Sequence, residues 1–75
     1  MNQAPKQHIA DAVQHHLAGD LEQAAAAYLA AGRVLLERGD RAAAEHLVVV
    51  LQGLNQAHAR SLADALEQPP GSDNQ

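Results

Sequence analysis

Three side chains near the carboxyl end have the types found in serine hydrolases: His58, Ser61 and Asp64. In those enzymes the histidine takes the serine proton and the carboxylate orients the histidine, so all three must lie within hydrogen-bond distance. Successive spacings of three residues spread this set over about a third of a helix circumference. We therefore interpret the set as one polar helix face and predict that the protein is not an enzyme.

A second set, His8, Asp11 and His15, has side chains that bind metal ions. Asp11 and His15 are one helical turn apart and could hold an ion together. His8 and His15 are about two turns apart, too far to grip one ion together with Asp11. We interpret the set as a solvated helix face and predict no metal and no cofactor.

The composition indicates which elements position these side chains. Alanine supplies 17 of the 75 residues and leucine 10, whereas the β-branched set amounts to five valines and one isoleucine. Alanine and leucine are among the strongest helix formers. We predict an all-α fold, a compact bundle of three to four antiparallel helices in a single domain.

Charge and hydropathy narrow the classes of partner. The formal charge of −4 argues against nucleic acid, because phosphate binding requires a basic face. The longest apolar run is far shorter than a membrane span, and the N-terminus lacks the pattern of a signal peptide. The absence of cysteine is compatible with the cytosol. We predict a cytoplasmic protein that binds neither membrane nor nucleic acid.

Two Gly-Asp pairs divide the chain. Gly19 and Gly39 can adopt the left-handed conformation that ends a helix, and Asp20 and Asp40 are good N-caps for the helix that follows. Each pair therefore predicts a helix stop fused to a helix start. The predicted helical domain is 6–67, between a frayed start at 1–5 and a disordered tail or linker at 68–75. The predicted helices are 6–18, 21–38, 41–54 and 57–67.

The segment "QGLNQA" (52–57) allows two interpretations. Gly53 and Asn55 would end the third helix and cap a fourth. Alternatively, apolar residues keep roughly helical phase across the segment, which allows one long helix. We favour the break.

Apolar residues recur at helical spacing in each predicted helix. On helix one the predicted apolar stripe consists of Ile9, Ala12, Val13, His16 and Leu17. On this stripe we expect His16 to be partly buried and hydrogen-bonded. The predicted inner side of helix two consists of Leu21, Ala24, Ala25, Tyr28, Gly32 and Leu35.

Helix three carries more large apolar residues than one stripe can hold. Val48 and Val49 lie off the centre of its main stripe, which runs from Ala44 to Leu54. They are either buried between helices two and four or exposed to a partner helix or a second copy of the chain. Because an alanine-rich core is thin, we expect weak self-association with these two valines near the contact.

Residues 25–58 resemble a tetratricopeptide (TPR) repeat, a unit of two antiparallel helices. The matching positions are Tyr28, Ala31-Gly32, Leu35, Gly39-Asp40 and Ala44. The resemblance implies that Gly32 and Ala44 let two helix backbones approach closely. The 20-residue separation of the Gly-Asp pairs differs from the 34-residue TPR period and favours a compact bundle over a regular array. Residues 8–37 are also similar to the first two helices of the MIT domain.

Three arginines gather around the second Gly-Asp pair: Arg33, Arg38 and Arg41. They either form a charged rim, with Glu37–Arg41 and Arg41–Glu45 pairs, or contact an acidic partner. We predict a non-catalytic module that binds a peptide or helix of another protein. The alternative is an N-terminal docking or regulatory domain of a larger multidomain protein or synthase.

Overall fold

Residues 5–67, which the computed structural model describes, form four α-helices. Their bounds are α1 (Pro5–Leu17), α2 (Leu21–Glu37), α3 (Arg41–Gln52) and α4 (Gln56–Glu67). Three-residue turns connect them, so that successive helices run antiparallel. This confirms the predicted all-α bundle within the described residues. Pro5 is the first residue of α1, and the predictions for residues 1–4 and 68–75 lie outside the described range.

The first two turns end their helices in the same way. Gly19 and Gly39 both have a φ of 83°. At each turn the aspartate N–H donates to the carbonyl five residues earlier at 2.8 Å, and the glycine N–H donates to the carbonyl three residues earlier at 3.0 Å. This pair of bonds is the Schellman motif, and its left-handed residue strongly favours glycine. The predicted helix stops are confirmed.

The two aspartates behave differently although both occupy the N-cap position. Asp40 Oδ1 accepts a hydrogen bond from the Ala43 N–H at 3.3 Å. The Asp20 side chain makes no capping hydrogen bond. Its Oδ2 atom lies 3.7 Å from His15 Nδ1. Asp20 therefore occupies the predicted N-cap position, but without the side-chain hydrogen bond that an aspartate cap usually makes.

The third turn confirms the predicted break between α3 and α4. Gly53 has an ordinary φ of −86°, so this turn lacks a left-handed residue. The Asn55 N–H donates to the Leu51 carbonyl at 2.7 Å. The Asn55 Oδ1 atom then accepts from the His58 N–H at 3.1 Å, which caps the first turn of α4.

The core lies around α2, which contacts each of the other three helices, while α3 and α4 also contact each other. Many core residues are alanines, which let the helices approach closely, and Tyr28 is the buried aromatic. Twelve hydrophobic residues are buried: Ala12, Ala24, Ala25, Tyr28, Ala31, Leu35, Ala44, Leu47, Leu51, Ala59, Leu62 and Leu66.

Gly32 is a point of close approach, but to a different helix from the one predicted. A Cβ atom at Gly32 would overlap the side chain of Leu62, which is fully buried. Gly32 therefore fits α2 against α4, whereas the sequence predicted the contact between helices two and three. Ala44, on α3, is fully buried as expected.

α1 occupies the edge of the bundle. Among the helices of residues 5–67 it contacts α2 alone. Ala12 is fully buried there and Ile9 is half-buried. Four residues predicted to face inward are instead exposed: Val13, His16, Leu17 and Leu21. The predicted partial burial of His16 is wrong, because one neighbouring helix covers only part of the stripe.

Candidate protein-binding surfaces

Three of the four large hydrophobic side chains that are exposed in the described structure flank the first turn. Leu17 is 80% exposed, Leu21 47% and Val13 40%. Val13 and Leu17 are one helical turn apart on α1, and Leu21 is the first residue of α2. We call these three residues the first-turn patch. Contiguous apolar surface on a protein commonly marks an interaction site.

The first-turn patch is exposed because α1 packs on one side only. Residues of an α-helix are separated by about 100° around its axis. Relative to buried Ala12, Val13 is therefore rotated by about 100° and Leu17 by about 140°. The single contact with α2 covers the Ala12 side, so the other edge of the apolar stripe stays open.

The second turn carries charged residues at the equivalent positions, and although these are exposed, two of them bond to α4. A shift by 20 residues, the separation of Gly19 and Gly39, relates the patch to Arg33, Glu37 and Arg41. Arg33 donates to Ser61 Oγ at 3.3 Å. The Arg41 guanidinium donates to the Leu66 carbonyl. Both acceptors belong to α4, so two of the three positions bond to that helix, whereas the apolar side chains of the first-turn patch make no such bond.

The third arginine of the predicted cluster is Arg38. It is exposed at the end of α2, where its backbone N–H donates to the last turn of the helix. Neither the Glu37–Arg41 nor the Arg41–Glu45 ion pair is formed within residues 5–67. The Arg41 side chain is directed instead to α4, where it stabilises the packing of α2 and α3 against that helix.

An acidic cleft adjoins the first-turn patch. Asp20 and Glu22, the neighbours of Leu21 in the chain, line a cleft of about 350 Å³ together with Asn55 and His58. Both carboxylates are exposed. A basic group placed beside Leu21 would find two negative charges within this cleft.

A second, larger surface lies between α3 and α4. This α3–α4 groove has a volume of about 820 Å³, and its lining includes Val48, Gln52, Ala59, Arg60, Ala63 and Asp64. Small apolar side chains contribute to its lining, together with charged and amide side chains. Val48 is half-buried in the groove, and Val49 is 66% exposed on the same helix.

The two sets with possible chemistry are not assembled in the described structure. No group of three His, Asp or Glu side chains within residues 5–67 is placed to hold a metal ion. His15 lies near Asp20. Ser61 Oγ accepts from Arg33, and no hydrogen bond in residues 5–67 joins the side chains of His58, Ser61 and Asp64.

No protein-family model, curated protein or solved structure matches this chain. Within residues 5–67, none of the helices has the length and apolar character needed to cross a membrane.

Sequence reasoning did not identify the first-turn patch, although a signal was present. The predicted stripe of helix one assumed that every apolar residue on it faced inward. Aligning the two Gly-Asp pairs shows apolar residues at 13, 17 and 21 where the second pair has Arg, Glu and Arg. That contrast between otherwise similar turns indicates that the first turn has an apolar surface where the second has a charged one.

Proposed function

We propose that this chain is a non-catalytic protein-interaction module of the cytoplasm that binds an amphipathic helix of another protein at the first-turn patch. One observation carries the proposal. Three large apolar side chains are exposed at the first turn, whereas the equivalent positions of the second turn are charged and two of them bond to α4. A partner helix would pack on the apolar side chains of the first turn.

The chemistry of the partner follows from α4 itself. α4 packs on α2 and α3 through Leu62 and Leu66, which are one helical turn apart and buried. Recognition of a helix by an apolar surface uses side chains at this spacing. We therefore expect a partner helix with two large apolar residues at positions i and i+4.

Charge around the patch adds a second requirement. Asp20 and Glu22 lie on either side of Leu21 and line the adjoining cleft. A lysine or arginine near one end of the partner helix would pair with them. Exposed pairs of this kind contribute little affinity but help to set the orientation of a bound helix.

The resemblance to TPR hairpins supports the same proposal. The chain has helices joined by Gly-Asp turns, and α2 contacts both α3 and α4, as expected for hairpins stacked in succession. TPR proteins use the surfaces of such hairpins to bind peptides and helices. Here the proposed binding surface is the outer side of the α1–α2 hairpin.

A photo-crosslinking amino acid placed at position 17 tests the proposal in cells that naturally contain the protein. Glu37 is the matched control, because it is the exposed equivalent at the second turn. We expect a discrete adduct with one protein from position 17 and none from position 37. Absence of any adduct at 17, or the same adducts at both positions, would contradict the proposal.

Binding measurements on the purified adduct partner complete the test. We expect Leu17→Lys to weaken binding at least tenfold, because it places a charge in the apolar contact. The control Glu37→Lys should bind like the parent. Unchanged affinity of the Leu17→Lys variant would exclude the first-turn patch as the binding site.

A further inference from the structure

On the outer face of α4, Arg60 and Glu67 form a pair of opposite charges that is complementary to itself, and Asp64 lies between them. Arg60, Asp64 and Glu67 are exposed and follow one another on one face of the helix. The positive charge lies toward the N-terminal half and the negative charges toward the C-terminal end. Arg60 and Glu67 lie equally far on either side of the peptide bond between Ala63 and Asp64.

These charges have no partner inside the domain. Within residues 5–67, Arg60, Asp64 and Glu67 form neither an ion pair nor a side-chain hydrogen bond. This holds even for Arg60 and Asp64, which are one turn apart on the same helix. All three side chains line the α3–α4 groove and so face a space that another molecule can enter.

We propose that a second copy of the chain occupies this groove, with its α4 antiparallel to the first. A two-fold axis through the middle of the Ala63–Asp64 segment places each Arg60 opposite Glu67 of the second copy. The same operation forms this pair twice, because a two-fold contact is the same surface on both chains. The small Ala63 at the centre allows the two helices to approach closely.

α3 supplies the apolar part of this contact. On α3, Val48 and Val49 lie about 40° and 60° to either side of Gln52, which lines the groove. A helix seated in the groove would cover Val48, which lines it, and lie beside Val49. Burial of their apolar surface would contribute to affinity, while the charges would fix the antiparallel orientation.

The size of the contact surface between the two copies indicates how tightly they should bind each other. Stable interfaces bury on the order of 800 Å² per partner. α4 has 12 residues, and the groove face is one side of it. We therefore expect a weak dimer that dissociates in roughly the micromolar to millimolar range.

The occupant is a second copy because this face contains its own complement. One molecule of the same sequence satisfies both the positive and the negative end at once. The sequence at 68–75 does not offer this, because it has no large apolar side chain and no basic residue. The groove and the first-turn patch also involve different residues, so this proposal is independent of the proposed function.

Charge reversal with mixing tests the arrangement, using sedimentation equilibrium of the full chain. Arg60→Glu alone and Glu67→Arg alone each replace two attractive contacts with two repulsive ones. We expect each to weaken self-association about tenfold. An equimolar mixture should regain association, because every contact between the two variants then pairs glutamate with arginine. A mixture that stays monomeric would overturn the antiparallel arrangement.

Controls separate this result from misfolding and from general charge effects. Arg38→Glu, an exposed reversal away from the groove, should self-associate like the parent. Circular dichroism should show parental helicity for both reversals. If either reversal unfolds the chain, the milder Arg60→Gln and Glu67→Gln should each weaken association about threefold. A parent that is monomeric at millimolar concentration, or reversals that associate like the parent, would overturn the proposal.

Discussion

The two Gly-Asp turns have the same backbone and different surroundings. Both glycines have a φ of 83°, and both turns close with the same pair of hydrogen bonds. At the second turn, Arg33 and Arg41 donate to α4, and Asp40 caps α3. At the first turn the equivalent positions carry Val13 and Leu21, which are exposed.

The comparison shows that forming a turn and contacting a third helix have different requirements. Forming the turn requires a glycine followed by residues that can start a new helix, and both turns meet this requirement. Contact with a third helix is a separate property. At the second turn that helix is supplied by the chain, and at the first turn, by our proposal, by a partner.

The largest expected contrast compares a leucine in the core with a leucine at the first turn. Leu62 on α4 is fully buried against the α2–α3 hairpin, whereas Leu17 is 80% exposed. We expect Leu62→Ala to lower the free energy of unfolding by about 2–5 kcal/mol, through lost burial and a residual cavity. Leu17→Ala should change it by less than about 0.5 kcal/mol. Urea denaturation of both variants measures the contrast, and comparable losses would show that the first turn is covered.

The next contrast concerns the close approach of α4 to α2. We expect Gly32→Leu to destabilise the fold by about 1–3 kcal/mol, because the new side chain would overlap buried Leu62. Ala30→Leu is the control on the same helix and should be milder, because Ala30 is only half-buried. Thermal denaturation measures the loss of stability in both variants. Equal losses would contradict the close approach of α4 to α2 at Gly32.

The glycines should show that the two turns are built alike. Adding a Cβ at Gly19 or Gly39 meets no atom within 4 Å, so that any cost comes from the backbone conformation. We expect Gly19→Val and Gly39→Val each to cost about 1–2 kcal/mol. The corresponding asparagine variants should cost less, since asparagine tolerates this conformation. Costs at the two turns that differ widely in urea denaturation would contradict their equivalence.

The smallest expected contrast is between the aspartates. Asp40→Ala removes a side-chain cap and should cost about 1 kcal/mol. Asp20→Ala removes no cap, only an exposed contact with His15, and should cost less than about 0.5 kcal/mol. Calorimetric melting of the two variants measures both losses of stability. Equal losses would mean that Asp20 also caps its helix in solution.

Local signals in the sequence predicted most of the fold. The Gly-Asp pairs and Asn55 predicted the six helix ends at the three turns to within about two residues, because capping and left-handed residues act over a single turn. The inward and outward sides of α1 were harder to predict. Periodicity defines an apolar stripe, but the number of neighbouring helices decides how much of it is buried.

The candidate surfaces depended on tertiary packing and were predicted only in part. Val49 was correctly placed on a helix with surplus apolar residues, and it is exposed. Arg33 and Arg41 were considered as a charged rim or as contacts for an acidic partner. Their bonds to α4 could not be foreseen, because α4 follows 15 or more residues later in the chain and its placement is not a local property.

The central claim, that the apolar side chains of the first turn are open to solvent whereas the leucines of α4 are packed in the core, can be tested by NMR with a soluble gadolinium chelate. The chelate accelerates the relaxation of methyl groups that solvent can reach. We predict strong relaxation enhancement at Leu17, intermediate enhancement at Val13 and Leu21, and little at Leu62 and Leu66. If Leu17 is protected as well as Leu62 at a concentration where the chain is monomeric, the first turn is already covered and the account is contradicted.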